Sequence, residues 1–276
     1  AVHAATSPWS WGKRHAGDWK DWHRTVLRTV GKDIGWLVLH PYYCGLPISE
    51  MERYLDVLRD DCVKLVPGHP IRLYISEHAR WPEQEPGKPW KQSWFNTHSL
   101  GGCLATGQFL TRMLNRPEVG AAAYHALTAG PWGLFYDHDS VSGAQVPPWR
   151  TGMADLLTAF RPVHGGEVVA TSLSGACTAA DDPAATCAVA AVRQGQALVL
   201  VLVNREPLAA RPLTLSMQGR WRLAGGMALT APSLESVNRA DASLIAMEPI
   251  PSSQGQLQAW TLPARQMAVL TLESMP

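Results

Sequence analysis

Ile71-Arg72-Leu73-Tyr74-Ile75-Ser76-Glu77-His78 is the stretch on which the fold turns. Its apolar first part, rich in β-branched and aromatic side chains, reads as a strand, and the strand delivers a carboxylate and an imidazole at its far end. One unit upstream, Trp36-Leu37-Val38-Leu39 reads the same way and runs into His40-Pro41-Tyr42-Tyr43. Trp19, Trp22, Val26 and Val30 are spaced for a helix over 19–30. Ser49 begins another, with Met51, Tyr54, Leu55 and Leu58 on its inner face. Strands alternating with helices at this pitch imply a parallel sheet covered by helices. In such a sheet the polar groups at the C-terminal ends of neighbouring strands share one rim, the usual place for a binding or catalytic site.

Further along, 99–115 predicts a long helix with Leu100, Leu104, Phe109, Leu110, Met113 and Leu114 facing inward. Residues 133–136 predict a third strand of the first region and 152–160 a closing helix. The chain changes character near His164. Ten of its 12 Trp precede that point, and after it short alternating segments are broken by Gly, Pro, Asn and Asp. The expected strands there are 188–192, 198–203, 213–217, 257–262 and 267–272, with turns at Gly225-Gly226 and Pro263-Ala264, which together suggest a sandwich. The expected organisation is an α/β domain over 1–163 and an all-β domain over 164–276. Asn204-Arg205 and Asn238-Arg239 suit turns and sheet ends, where Asn hydrogen-bonds its own backbone.

Composition bounds the partners. Of 276 residues 46% are hydrophobic and 17% charged, against a usual charged share of roughly 25%, so there is ample apolar surface for sizeable cores. Twenty-four Lys and Arg balance 23 Asp and Glu with no block of like charge, which argues against nucleic acid as a partner. The most hydrophobic run, 197–203, has the length of a strand and not of a membrane span. No CxxC or HExxH spacing gathers ligands, so no metal and no cofactor is expected. Cys177 and Cys187 suit a loop-closing disulfide, which favours a secreted or periplasmic home; five buried thiols are the competing reading. Ala1 to Ser7 lack the basic start and apolar core of a signal peptide, so any such signal is expected to have been removed.

The order of motifs resembles the C-terminal half of the α-L-arabinofuranosidases of glycoside hydrolase family 51, members of the large barrel-glycosidase clan. The matching pieces are Leu37-Val38-Leu39-His40-Pro41-Tyr42-Tyr43, Leu73-Tyr74-Ile75-Ser76-Glu77-His78, residues 105–117 and 198–205, Val237-Asn238-Arg239 and Leu262-Pro263-Ala264-Arg265. The resemblance runs from about Trp19 to the end. It implies a partial (β/α)8 barrel, about strands 5–8, followed by an antiparallel β-sandwich. Ser7-Pro8-Trp9-Ser10-Trp11 would close the fifth barrel strand, and Leu37, Leu73 and Leu134 would lie in the sixth, seventh and eighth. It makes Glu77 the nucleophile of a retaining mechanism, which needs one ionised carboxylate and a second, protonated one roughly 5–5.5 Å away. His40, Tyr42 and Tyr43 are expected near the sugar, with core packing at a strand end as the alternative. Trp132, like Trp81, Trp90 and Trp94, has a flat apolar face that suits a sugar ring or ordinary packing. His78 would tune the carboxylate or lie at the surface.

One departure from the family pattern shapes the functional expectation. The acid/base of the family sits in an Asn-Glu pair after the fourth strand, and this sequence contains no Asn-Glu. Glu50, Glu52, Glu83 and Glu85 do not inherit the role by position. A full barrel takes ~250 residues, and three or four parallel strands leave edges that something must cover. The expectation is therefore a fragment or subunit of a glycoside hydrolase acting on a carbohydrate. A second polypeptide, or self-association, would supply the N-terminal half of the barrel. A non-catalytic structural or glycan-binding subunit of a larger extracellular assembly is the alternative.

Overall fold

A computed structural model describes residues 1–4, 17–43, 48–128, 130–139, 142–174 and 186–276. The chain packs as two compact units. One takes in most of the residues up to Trp81 together with Arg116–His125, and the other takes in Pro82–Asn115 and most of the chain after His125.

The first unit is built on a four-stranded parallel sheet in the order β1 (Val2–His3), β2 (Trp36–Leu39), β3 (Arg72–His78), β4 (Val119–Tyr124). Helix α1 (Trp19–Val30) leads into β2, and α2 (Ile48–Leu65) connects β2 to β3. Asp18 caps α1, its carboxylate accepting from the Lys20 amide at 3.0 Å, and Asp21 and Arg28 complement the helix dipole at its two ends. Leu37, Leu39, Leu73 and Ile75 on one face of the sheet are fully buried, as are Leu27, Met51, Leu55 and Leu58 of the helices. The other face is half-buried. There Trp36 meets Tyr74 edge-on at 6.1 Å, with the Arg72 guanidinium 5.5 Å from its ring. Across the two helices Asp61 Oδ2 lies 2.8 Å from His23 Nε2 and accepts from Arg24 Nε at 2.7 Å.

Two irregularities break the register between β3 and β4. Leu73 and Tyr74 face Val119 and Ala121, so Gly120 is the extra residue on β4; a Cβ there would come within 2.4 Å of the Trp36 ring. Ile75 and His78 face Ala122 and Tyr124, which puts the extra residue of β3 at Ser76-Glu77. A bulge interrupts the alternation of side chains and re-aims the ones it contains. Ser76 and Glu77 are accordingly both part-exposed, between buried Ile75 and buried His78.

In the second unit, helix α3 (Leu100–Leu114) is buried on nearly every side and capped by Ser99, whose hydroxyl accepts from the Gly102 amide. The short hairpin β5 (Phe135–His138) and β6 (Gln145–Arg150) precedes α4 (Gly152–Ala159). Beyond it lies a six-stranded sheet: β7 (Glu167–Val169), β8 (Cys187–Gln194), β9 (Ala197–Asn204), β11 (Trp221–Thr230), β12 (Ala246–Ile250) and β14 (Gln266–Ser274), in the order β12-β11-β14-β9-β8-β7 and antiparallel throughout. β10 (Arg211–Thr214) and β13 (Ala259–Leu262) form a separate antiparallel pair. Strand β9 is buried on both faces. Leu198, Leu200 and Leu202 join Leu223, Leu262, Leu270 and Leu272 in one cluster, while Val203 approaches Gly107 of α3 on the other side.

Several expectations need correction. Residues 133–136 do not add a parallel strand: Phe135–His138 pairs antiparallel with Gln145–Arg150, and the fourth strand of the parallel sheet is Val119–Tyr124. Ser49 lies inside α2, which already includes Ile48. Gly225-Gly226 is not a turn but the bulged middle of β11, where Gly225 takes φ +151°. Pro263-Ala264 does end β13 in a turn, with Arg265 at φ +54°. The expectations for Ser7 to Trp11, Cys44 and Cys177 fall outside the described residues.

Candidate active site

All four parallel strands contribute at their C-terminal ends. β1 ends in His3; the chain leaving β2 carries His40, Tyr42 and Tyr43; β3 carries Ser76, Glu77 and His78; and His125 comes directly after β4. The rim is held by backbone bonds that continue the sheet past its strands, from Tyr43 N to Ala79 O at 3.2 Å and from His125 N to His78 O at 3.0 Å. Each side chain at the rim is thus placed by the sheet itself.

Glu77 is at the centre. The Tyr42 hydroxyl donates to its Oε1. Its Oε2 faces two imidazoles, His40 Nδ1 at 3.8 Å and His125 Nδ1 at 3.7 Å, both beyond hydrogen-bond length but well inside the range of charge interaction. The three side chains are 26%, 29% and 32% exposed for His40, Glu77 and His125, so the group opens to solvent. The far nitrogen of His40, Nε2, lies 2.8 Å from Ser76 Oγ, and its ring meets His3 edge-on at 4.4 Å. Burial, and then the neighbouring His3, lower the pKa of His40, against an opposing pull from Glu77. Trp81, 43% exposed, stands edge-on to Tyr42 at 5.5 Å.

Beneath this surface lies a second layer. Tyr43, turned the opposite way from Tyr42, is buried, so the core-packing role is the one it takes. Its hydroxyl is 3.2 Å from His78 Nδ1, and the two rings stack. His78 is not at the surface; it is fully buried, and desolvation pushes it down to about 3, which keeps it neutral. Trp132 belongs to the second unit, where it ends the 3-10 turn Gly130–Trp132; Trp90 and Trp94 lie in that unit as well, packed edge-on at 5.5 Å. Residue-by-residue reading of the sequence missed His3 and His125. The one signal available was that each sits at the end of a short strand, as His40 and Glu77 do.

No protein-family model and no curated protein matches the sequence. Solved structures do. The family 51 arabinofuranosidase from Xanthomonas axonopodis pv. citri superposes with a TM-score of 0.72 over 92% of this chain and 56% of its own, at 16% identity. AbfB, a family 51 α-L-arabinofuranosidase from Bifidobacterium longum, gives 0.70 over 99% of this chain and 59% of its own, at 15% identity. The chain shares the fold of the family 51 arabinofuranosidases. It spans just over half the length of these relatives. A β-porphyranase of glycoside hydrolase family 86 from Bacteroides plebeius also matches, with a TM-score of 0.65 and 13% identity, so the arabinofuranosidase-like fold is shared more widely among glycoside hydrolases.

Among the described residues no group of three or more His, Cys, Asp or Glu side chains is arranged to hold a metal ion, and no helix is long and apolar enough to cross a membrane. The arrangement offers a solvent-facing carboxylate with one oxygen fixed by a phenol and the other flanked by imidazoles.

Proposed function

We propose that this chain carries the nucleophile side of a retaining glycoside hydrolase that acts on α-L-arabinofuranosides. The observation behind this reading is Glu77. A carboxylate sits on a bulge at the C-terminal end of a parallel strand, its Oε1 bound by Tyr42, in a chain with an arabinofuranosidase-like fold. Its Oε2 attacks the anomeric carbon; as the new ester bond forms, the bond to the leaving oxygen breaks and a second carboxylic acid protonates that oxygen. Water then hydrolyses the glycosyl ester, the second group acting as base. In this reading residues 1–163 form the later strands of a (β/α)8 barrel and 164–276 its sandwich. The proton donor belongs to the remaining half of the barrel, on the same or a separate polypeptide. Trp81 would offer its exposed face to a sugar. The proposed location is extracellular or periplasmic.

The test exploits leaving-group chemistry. A 2-deoxy-2-fluoro-arabinofuranosyl reagent with a strongly acidic phenol as leaving group needs no general acid, so attack by Glu77 alone should form a lasting ester. Mass spectrometry of the peptide spanning residues 72–80 is expected to show the adduct on Glu77, and E77Q should remain unlabelled. Sugar binding without an adduct would replace this reading with that of a non-catalytic glycan-binding subunit.

A further inference from the structure

We propose that His125 is a positioning residue for Glu77, acting with His40 to aim the carboxylate oxygen that attacks. This inference rests on the reading of Glu77 as the nucleophile. The two oxygens of Glu77 are not equivalent. Oε1 accepts from the Tyr42 hydroxyl, which ties up one of its lone pairs and holds it in place, so attack is assigned to Oε2. Oε2 stands between Nδ1 of His40 at 3.8 Å and Nδ1 of His125 at 3.7 Å. A carboxylate fixed at one oxygen can still rotate about that contact, and two imidazoles that carry a proton on Nδ1 would limit that rotation by closing on the other oxygen. Catalytic hydrogen bonds often shorten only in the Michaelis complex, and at 3.7–3.8 Å both imidazoles are within a small side-chain movement of bonding Oε2.

His125 is suited to this by its mounting. Its backbone amide donates to His78 O at 3.0 Å, one residue from the nucleophile, so its ring position is set by the sheet and not by a flexible loop. Its ring also lies 6.4 Å from that of Tyr42, perpendicular to it, so it borders both groups that Glu77 depends on. The bulge at Ser76-Glu77 is what brings the carboxylate toward β4 and within reach of this imidazole.

The experiment compares wild type, H125A and H125Q in the fluorosugar reaction, and tracks the Glu77 side-chain carbonyl by 13C NMR at pH 7, the signal being assigned by its loss in E77Q. Loss of aim at a reacting atom costs up to about 10²-fold, so H125A should form the Glu77 adduct at least about tenfold more slowly at saturating reagent, with its saturation constant within about twofold of wild type. The Glu77 carbonyl signal should move in H125A. H125Q retains an N–H donor and should recover the rate to within about threefold. An H125A protein that reacts at the wild-type rate with an unmoved carbonyl signal overturns the proposal. Absence of any adduct in wild type ends the nucleophile reading instead, and the carbonyl signal then decides alone: a shift in H125A supports orientation by His125, and no shift rejects it. Should H125A fail to fold, H125F, which fills the space without a donor, takes its place with the same expected outcomes.

Discussion

The two oxygens of Glu77 meet different chemistry, and under the proposed nucleophilic role that difference separates an anchored oxygen from an attacking one. A hydrogen bond to a charged acceptor is worth ~1.5–3 kcal/mol, so removing the Tyr42 hydroxyl in Y42F should slow attack on a fluorosugar by roughly ten- to hundredfold. Thermal stability of Y42F should stay near wild type, because the hydroxyl is part-buried and the ring keeps its contact with Trp81. Equal labelling rates for Y42F and wild type would detach Tyr42 from the reaction. At this scale Glu77, His40 and Tyr42 were legible because each lies at the end of a strand with a clear apolar pattern. His3 and His125 were not. One ends a two-residue strand, and the other comes after Gly120-Ala121-Ala122-Ala123, where small side chains carry almost no β signal. Tyr43 shows the opposite limit: sequence places it beside Tyr42, and only the direction of the backbone sends one ring to the carboxylate and the other into the core.

Among the elements, β4 explains both the missed strand and the shape of the site. Apolar Leu134-Phe135-Tyr136 is a stronger strand pattern than 119–124, yet it pairs antiparallel in a hairpin, while the weak segment completes the parallel sheet. Tertiary packing overrides propensity here. Gly120 lets β4 pass beneath the Trp36 ring, where even a methyl group would overlap. G120A should therefore cost ~1–3 kcal/mol, the usual penalty for overpacking, measured as a lower urea midpoint with an unchanged slope. The long helix gives a simpler expectation. Ser99 was legible as its start, the hydroxyl caps it, and S99A should lose about 1 kcal/mol. Gly225-Gly226 was misread because a glycine pair is the common mark of a turn. In β11 it instead allows the bulge at Leu223/Gly225 and the close approach of Gly226 to Val269 O.

For the whole molecule, the alternation of strand and helix and the later run of short strands were enough to suggest the mixed architecture. That the long helix belongs with the later strands was not legible, since a helix buried all round has no single apolar stripe to name its partner. The same burial has a consequence for stability against acid. His78 in the first unit is pushed down to about 3 by desolvation, and His98 in the second to about 4 by desolvation and then by Arg239. Above about pH 6.5 both are neutral whether the chain is folded or not, and neither affects stability. Below that value the unfolded chain takes up protons that the folded protein refuses, so stability falls as pH drops toward the folded values. By pH 4.5 the loss is roughly 2–3 kcal/mol for each histidine. Asp61 acts at lower pH: burial raises it, but hydrogen bonds from Arg24 and His23 outweigh that and hold it low, so its contribution is present above its ordinary value of 3.8 and is lost below it. Urea unfolding at pH 7.5, 6.0 and 4.5 should therefore show midpoints that fall steeply between the last two. H98F, which keeps an aromatic ring beside Tyr136 and Trp149 but cannot take up a proton, should flatten that fall. Equal midpoints from pH 7.5 to 4.5 in the wild-type protein would mean that these imidazoles are not held neutral by burial.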